Sequence, residues 1–185
     1  MKERILDIAA QLIQQHGLRK FTVDEIAAKL RISKKTIYQY FDSKEDIIRQ
    51  YFETTITSDK DSVKEEINNE KSILEKIHSI VYSNHRYRLS VTLLSEAKSF
   101  YPDEWAKIEE LKQFKLDILR KLLKQAAADG ILKTDIHFGI LSKMIEEISD
   151  MFLDYDFLLE NKLTTRNAID EALTIIFNGI LNQPV

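Results

Sequence analysis

The sequence contains no cysteine, and its 185 residues include only four glycines and two prolines. The lack of cysteine excludes disulfides and thiolate metal sites. The scarcity of glycine and proline excludes a sandwich or barrel, because many short strands need many turns. No apolar run approaches the roughly 18 residues that a membrane-spanning helix needs, and the N-terminus lacks the pattern of a signal peptide. These absences predict a soluble, mostly helical, cytoplasmic protein with no membrane partner.

Positive charge is unevenly distributed along the chain. The formal net charge of −3 by itself argues against a nucleic-acid partner. Residues 1–50, however, contain 10 Lys/Arg against 7 Asp/Glu, whereas the other 135 residues contain 17 against 23. Five basic residues and one acid fall within 29–44. The excess of positive charge is therefore concentrated in one short stretch near the N-terminus.

Capping signals divide the first 50 residues into short helices. Gly17 is a typical stop after the first amphipathic helix, and Thr22–Glu25 forms a capping box that opens the second. Ser33 caps a third helix after a tight turn at Leu30–Ile32, and Ser43 begins another capping-box-like segment. Three short helices in about 40 residues, the last two joined by a turn of three or four residues, indicate a helix-turn-helix arrangement.

Longer helices are predicted for the rest of the chain. Pro102 suits a first helical position, Gly130 a helix C-terminus, and Asp135 and Thr164 helix N-caps. The predicted fold class is all-α, with an N-terminal three-helix helix-turn-helix domain, a larger helical domain and about nine helices in total. The helices after the first three are predicted at residues 44–66, 71–87, 89–99, 103–128, 135–158 and 165–181.

The third helix, predicted from Ser33 to Phe41, is expected to carry an exposed polar ridge opposite a buried pair. At about 100° per residue, Ile37 and Phe41 lie close together and point into the core. The exposed ridge then consists of Lys35, Thr36 and Gln39, with Tyr38 and Tyr40 on its flanks. Such hydrogen-bonding groups suit base edges, and tyrosines with nearby cations suit the phosphates on either side. The alternative is a solvated basic surface with two core tyrosines.

Two lysines occupy the first turn of this helix, where the helix dipole favours anions. Lys34 and Lys35 each carry an unfavourable dipole interaction of about 0.3–1 kcal/mol. No residue of the folded chain is expected to offset that cost, whereas a phosphate backbone would. Lys44 opens the next helix, so its charge and the free N–H groups there are suited to hold one phosphate.

The residue types and spacings of five segments form one recognisable pattern. The segments are Ile5–Ala10, Gly17, Phe21–Ala27, Ile32–Phe41 and Ser43–Lys44. Together they resemble the N-terminal DNA-binding domain of the TetR family of transcriptional regulators. The resemblance implies a homodimeric, all-helical regulator, usually a repressor, that binds a palindromic operator and leaves it when a small molecule binds. It implies a DNA-binding domain over 1–48 and a ligand-binding and dimerisation domain over 49–185. The expected partners are double-stranded DNA, a second copy of the chain and an unknown effector, with no cofactor or metal.

Carried over residue by residue, the resemblance implies eight DNA-contacting side chains. Thr22 would cap the second helix and contact phosphate. The residues that would enter the major groove are Lys34, Lys35, Thr36 and Gln39, and those that would hold the backbone are Tyr38, Tyr40 and Lys44. Two positions depart from the family pattern. Arg31 replaces a turn glycine and is therefore expected at positive φ, and Lys35 replaces a small residue, so no operator sequence is inferred from relatives.

The last predicted helix has an apolar surface broader than one core contact requires. Its large residues Ile169, Leu173, Phe177 and Ile180 are expected to face the core. A second seam, which permits close backbone approach, consists of Ala168, Ala172, Ile175 and Gly179. With helix 135–158, this seam is expected to form a four-helix dimer interface, as the resemblance favours. A central core helix in a monomer is the alternative.

Three residues are candidates for binding the effector: Asn84, Trp105 and Met144. Asn84 lies on an apolar stripe and needs a polar partner, for which an ordinary helix-end hydrogen bond is the alternative. Trp105 and Met144 are apolar pocket candidates, with simple core packing as the alternative. Arg86 and Arg88 are expected to form surface ion pairs rather than an anion site.

No enzyme signature is present. The sequence has no Gly-rich phosphate loop, no metal-ligand spacing and no histidine beside an obvious Ser/Asp partner, so no catalytic residue is predicted. A second alternative to a DNA-binding regulator is a helical protein-interaction module whose basic stretch binds an acidic partner.

Overall fold

The computed structural model describes residues 1–81, 86–87, 89–152 and 154–182. The regular structure within these ranges is helical apart from one isolated bridge, which confirms the all-α prediction. The helices are α1 (Lys2–Lys20), α2 (Val23–Leu30), α3 (Lys34–Ile37), α4 (Lys44–Asn68), α5 (Ile73–Val81), α6 (Val91–Phe100), α7 (Pro102–Ala128), α8 (Phe138–Met151), α9 (Tyr155–Glu160) and α10 (Thr165–Ile180). As expected, Pro102 opens α7, Thr164 caps α10, and Gly130 follows α7 at positive φ.

The chain forms two compact units. The first unit comprises Met1–Lys64 and Ser83–Glu109, and the second comprises Glu65–Tyr82 and Glu110–Val185. Two of the three boundaries fall within α4 and α7, so each of these long helices contributes to both units. The first unit thus contains the complete helix-turn-helix segment together with α6.

The core of the first unit is built on α1. This helix packs against α2 and α6, and α2 packs against α3. Tyr51 of α4 is fully buried and stacks on Tyr87, with the ring centroids 5.4 Å apart. Other fully buried side chains are Ile5, Leu12, Ile13, Phe21, Ile26, Ile37, Phe41, Ile47, Ile48 and Phe52. Each large apolar side chain removed from water stabilises the fold by about 1.5–3 kcal/mol. These side chains come from α1, α2, α3 and α4 and from the segments between them.

The second unit joins the ends of α7 and α10. Leu132 and Leu181 form an isolated antiparallel bridge, and the Lys133 N–H donates to the Ile180 carbonyl at 2.7 Å. The Asn182 side-chain amide donates to the carbonyls of Gly130 at 2.5 Å and Leu132 at 3.1 Å. The bond from Lys133 satisfies a carbonyl that the C-terminus of α10 leaves without an intrahelical partner, and the bonds from Asn182 satisfy two carbonyls of the segment that follows α7. They fasten the end of α10 to the segment that follows α7.

Two predicted helices are shorter in the structure. The helix predicted at 71–87 is α5, which begins after a reciprocal capping box between Ser72 and Glu75. The helix predicted at 135–158 is two helices, α8 and α9. Asp154 ends the first because its carboxylate accepts from the Phe157 N–H at 3.0 Å and caps a new helix. The N-cap of α8 is His137 rather than Asp135.

The core-facing side of α10 was predicted correctly only at Ile180. Its buried residues are Ala168, Ala172, Ile176 and Ile180, whereas Ile169, Leu173 and Phe177 are only partly buried. Two members of the predicted dimer seam, Ala168 and Ala172, are therefore buried within the protomer itself. Ile175 is 71% exposed and Gly179 is exposed. The small residues allow close packing inside the protomer, a role that helical periodicity alone cannot distinguish from packing between subunits.

Candidate nucleic-acid interface

The start of α2 is held by a complete capping box. The Glu25 N–H donates to the Thr22 hydroxyl oxygen at 3.2 Å, and the Thr22 N–H donates to the Glu25 carboxylate at 2.7 Å. The Thr22 hydroxyl also donates to that carboxylate, at 2.9 Å. These hydrogen bonds from Thr22 lower the pKa of Glu25. Thr22 therefore caps α2 as expected, with its hydroxyl proton committed to Glu25 in the DNA-free protein.

The turn between α2 and α3 contains the predicted left-handed residue. Arg31 has φ 55° and ψ 43°, a conformation that costs a non-glycine residue about 1–2 kcal/mol. Its N–H donates to the Ala28 carbonyl at 3.2 Å, and the Ile32 N–H donates to the Ala27 carbonyl at 3.1 Å. Both bonds satisfy carbonyls at the C-terminus of α2. The turn consequently keeps its shape without glycine and adds a cation beside α3.

The helix α3 is shorter than predicted. Ser33 caps it by accepting from the Thr36 N–H at 3.1 Å, but α-helical geometry ends at Ile37 instead of continuing to Phe41. The chain continues in tight turns, in which the Tyr40 N–H donates to the Ile37 carbonyl at 2.9 Å. An angle of 100° per residue therefore does not hold beyond Ile37. The outcome for burial is nevertheless as expected, because Ile37 and Phe41 are 0% and 1% exposed.

Five predicted contact residues form an exposed surface over this buried pair. Tyr38 and Tyr40 are 49% and 41% exposed, and Lys34, Lys35 and Gln39 are also exposed. Thr36 is partly buried, and its hydroxyl lies 2.9 Å from that of Ser33. The structure thus brings together, on one short segment, the cationic, amide and phenolic groups that recognition of a DNA groove requires.

Lys34 already has an anionic partner in the folded protein. Its ammonium group lies 2.8 Å from a carboxylate oxygen of Asp24, in the first turn of α2. The hydrogen bond and the charge of Asp24 raise the pKa of Lys34. The expectation that nothing in the folded chain offsets the unfavourable position of this lysine is therefore wrong. Helix periodicity could not reveal the pair, because its two members lie on different helices.

Lys44 is likewise engaged within the protein. Its ammonium group donates to the Arg19 carbonyl at 2.7 Å and lies 4.6 Å from the centre of the Phe21 ring. Burial lowers the pKa of Lys44. The carbonyl belongs to the last turn of α1, where a cation complements the helix dipole. Lys44 therefore links the C-terminal end of α1 to the beginning of α4.

Asp46 fixes the loop before α4, a role that the sequence interpretation missed. Its carboxylate accepts from the Asp42 N–H at 2.9 Å, from Arg49 at 2.5 Å and from Gln50 at 3.0 Å. Burial by itself raises the pKa of Asp46, but these hydrogen bonds from Gln50, Asp42 and Arg49 outweigh it and hold the pKa below its usual value. The spacing of Ser43 and Asp46, typical of a capping box, was the available signal.

A second contact missed from the sequence joins α6 to the end of α1. The Leu18 N–H donates to the Glu96 carboxylate at 2.6 Å. Gly17 lies beside it at φ 84° and ψ 171°, and a Cβ there would lie 2.8 Å from a Glu96 carboxylate oxygen. The Arg19 guanidinium group stacks 4.2 Å from the centre of the Phe100 ring. The sequence indicated the break at Gly17 but not its partner.

The three effector candidates fall in different units or outside the described residues. Asn84 lies outside the described residues, as does Arg88. Trp105 is partly buried in the first unit, with the Lys98 ammonium 5.5 Å from its ring centre. Met144 belongs to the second unit and is 50% exposed. Arg86 forms the expected ion pairs, at 3.6 Å to both Glu3 and Asp7.

No cluster of three His, Asp or Glu side chains that could hold a metal ion occurs among the residues that the structure describes. Across the same ranges, no helix combines the length and apolar character needed to cross a membrane.

The fold and the α2–α3 surface define the chain as an all-helical helix-turn-helix protein. Residues 5–51 match the family described as bacterial regulatory proteins, tetR family. The N-terminal part of the chain therefore carries a helix-turn-helix domain that matches the tetR family.

Similar proteins span nearly the whole chain. An uncharacterised HTH-type transcriptional regulator, YvaF of Bacillus subtilis, is 27% identical over 97% of this chain and 95% of its own length. The transcriptional regulator FadR from Bacillus subtilis, in complex with stearoyl-CoA, has a TM-score of 0.66 at 22% identity over 97% of this chain and 99% of that chain. A transcriptional regulator from Saccharomonospora viridis, in complex with choline, has a TM-score of 0.74 at 16% identity over 98% of both chains. The two structural matches show a shared fold.

Proposed function

We propose that this protein is a dimeric repressor that binds a palindromic DNA operator through α2 and α3 and is released by a small-molecule effector. The observation that carries the proposal is the exposed surface of α3, held in place by the burial of Ile37 and Phe41 and by the Arg31 turn. A solvated surface needs no such arrangement of two exposed tyrosines beside cations and an amide. We assign residues 1–48 to DNA binding and residues 49–185 to effector binding and dimerisation.

The eight contact residues are divided by chemistry. Lys34, Lys35, Thr36 and Gln39 enter the major groove, and Thr22, Tyr38, Tyr40 and Lys44 contact phosphates. Gln39 is the candidate for base recognition, because a side-chain amide pairs bidentately with adenine. Lys44 retains donor capacity, since an ammonium group has three protons and one is directed at Arg19. The carbonyl of Arg19 therefore positions the amine that would hold a phosphate.

Selection from a random-sequence duplex pool tests the DNA-binding proposal directly. We expect one palindromic sequence whose half-sites are about 10–10.5 base pairs apart or a multiple of that spacing. Gln39→Ala should change the preferred base at one position in each half-site and should weaken binding to the wild-type operator by about 1–3 kcal/mol. Lys44→Gln should weaken binding to operator and random DNA alike and flatten the salt dependence. Equal effects of both variants on both DNAs would contradict the division of roles, and thermal melting of each variant controls for folding.

Exposed apolar side chains on α8–α10 support dimerisation. Ile175 is 71% exposed, Leu159 62%, Ile140 61% and Met144 50%, and monomeric proteins seldom leave a large apolar patch uncovered. Of the predicted interface, Ile175 and Gly179 remain available on the surface. Ala168 and Ala172 then act indirectly, by drawing α10 close to its own unit. Met144 fits a subunit contact better than a buried pocket.

A charge placed on α10 tests this interface. Ile175→Glu should convert the dimer to a monomer in sedimentation equilibrium, because it introduces a charge into the apolar contact. Arg166→Glu is the control, because position 166 lies nine residues away and about 180° around the helix. A glutamate there also interacts favourably with the N-terminal end of the helix dipole. A wild-type protein that sediments as a monomer at micromolar concentration would exclude the dimer.

The effector is proposed to bind within residues 49–185, where Trp105 remains a contact candidate. Relatives with the same fold are named for complexes with chemically different molecules, stearoyl-CoA and choline, so both classes need testing. Trp105 is the only tryptophan, and its fluorescence reports binding without a label. An acyl-CoA series and choline should be titrated against protein alone and against the protein–operator complex. A molecule that shifts Trp105 emission without releasing DNA would not be the effector.

A further inference from the structure

We propose that Asp24 is an internal counterion that masks Lys34 and thereby weakens sequence-independent DNA binding. The inference rests on the proposed function, because it assigns a role to an acid beside a lysine that is proposed to contact DNA. Asp24 was not among the residues that the sequence indicated. Its effect is electrostatic, so it acts on all DNA rather than on one operator.

The geometry places a carboxylate where a phosphate would otherwise be. The Lys34 ammonium group lies 2.8 Å from Asp24, and the two side chains are 52% and 68% exposed. Both residues lie in first turns: Asp24 is the second residue of α2, and Lys34 is the first residue of α3. Asp24 also lies two residues after Thr22, which is proposed to contact phosphate. A negative charge is thus built into the surface that would approach the DNA backbone.

Because the Asp24–Lys34 ion pair is exposed, Lys34 can exchange Asp24 for another anion. Exposed ion pairs are weak because water screens them and because both side chains lose freedom when they pair. Lys34 can therefore leave Asp24 for a phosphate without disturbing the core. In the DNA-free protein, however, the Asp24 carboxylate takes the place of the solution anion that would otherwise accompany the Lys34 ammonium group. Binding through Lys34 then replaces one anion with another.

This exchange has a defined signature in salt dependence. Each phosphate neutralised by a free cation contributes about −0.9 to the slope of log affinity against log salt concentration. Asp24→Asn keeps the shape of the side chain but removes its charge, so Lys34 should add one such contact. Between 50 and 200 mM salt, a slope difference of about 0.9 changes the affinity ratio of variant to wild type by about 3.5-fold.

A matched control exists on α4. Asp61 and Lys64 form another exposed Asp–Lys pair, at 3.1 Å, and neither residue belongs to the proposed DNA surface. Asp61→Asn makes the same change in net charge as Asp24→Asn. The two variants therefore differ in the location of the removed charge and not in its magnitude.

The test is fluorescence anisotropy of the full-length protein with one labelled random-sequence duplex, at several salt concentrations between 50 and 200 mM. We expect Asp24→Asn to bind more tightly than wild type at 50 mM, with the advantage falling by about 3.5-fold at 200 mM. Asp61→Asn should follow wild type throughout. Identical behaviour of the two variants would overturn the inference.

Two further measurements separate masking from its alternatives. In a Lys34→Gln background, Asp24→Asn should lose most of the gain in duplex affinity that it gives in the wild-type background. An undiminished gain would show that Asp24 simply repels DNA, and this would overturn masking. Thermal melting of every variant, without DNA, shows whether folding has changed. If wild type does not bind the duplex at 50 mM, the proposed function fails as well. Binding by wild type with no effect of Asp24→Asn rejects the inference alone.

Discussion

Replacing Gly17 by alanine tests the contact between α1 and α6. Gly17 has φ 84° and ψ 171°, a backbone region essentially confined to glycine, in which another residue costs about 1–3 kcal/mol. The new Cβ would also lie 2.8 Å from a Glu96 carboxylate oxygen. Because that carboxylate is the end of a flexible side chain, it can swing away, but it then leaves the Leu18 N–H.

The second contribution is the lost hydrogen bond. The Leu18 N–H donates to Glu96 at 2.6 Å, and leaving a buried donor without its partner costs about 1–3 kcal/mol. The two contributions predict that Gly17→Ala lowers the free energy of unfolding by about 2–6 kcal/mol. Since folded domains are stable by only about 5–15 kcal/mol, the loss should be large enough to measure readily.

Gly130 provides the matched control. It also has positive φ, at 71°, but a Cβ there would meet nothing within 4 Å. Gly130→Ala should therefore show a backbone penalty without the loss of a neighbouring contact. Urea unfolding followed by circular dichroism and by Trp105 fluorescence would compare the two, with Glu96→Ala and the Gly17→Ala/Glu96→Ala double variant completing a cycle. The double variant should cost less than the sum of the single ones. Full additivity, or equal losses for Gly17→Ala and Gly130→Ala, would refute the reasoning.

Three further changes test other parts of the chain. Asp46→Asn should lower the free energy of unfolding at pH 7 by about 1.5–3 kcal/mol, because it removes a charged acceptor. The folded-state pKa of Asp46 lies below its usual 3.8. The greater stability of the wild type should therefore be complete above pH 3.8 and disappear as the pH falls through the folded-state pKa. An advantage that does not decline with falling pH in urea titrations would contradict this. Gly179→Ala should raise protomer stability by about 0.5–1 kcal/mol, as expected for a helical glycine, while raising the dimer dissociation constant in sedimentation experiments; an unchanged constant would remove Gly179 from the interface. Asn182→Ala should destabilise the second unit by about 1–2 kcal/mol through its two carbonyl contacts, with Asn178→Ala, an exposed residue on α10, as the chemical-denaturation control.

Much of the candidate site follows from local sequence. The capping boxes and the left-handed Arg31 depend on interactions between residues at most five positions apart, so spacing and residue type determine them. The spacing of Ile37 and Phe41 likewise indicates a shared buried side, although the residues that cover it come from other helices. The family resemblance extended this to the eight contact residues. The end of α3 at Ile37 differed from prediction, because tight turns continue the same burial pattern with different backbone geometry.

The sequence by itself determined the helical class, the helix-turn-helix order and the concentration of positive charge near the N-terminus, because capping, periodicity and charge are local properties. Only the tertiary structure decided the partners: Asp24 for Lys34, the Arg19 carbonyl for Lys44, Glu96 for Leu18, and the protomer's own core for Ala168 and Ala172. These pairs join different helices, and their geometry depends on how whole helices pack. A pattern along one helix shows that a surface needs a partner, whereas packing determines which group supplies it.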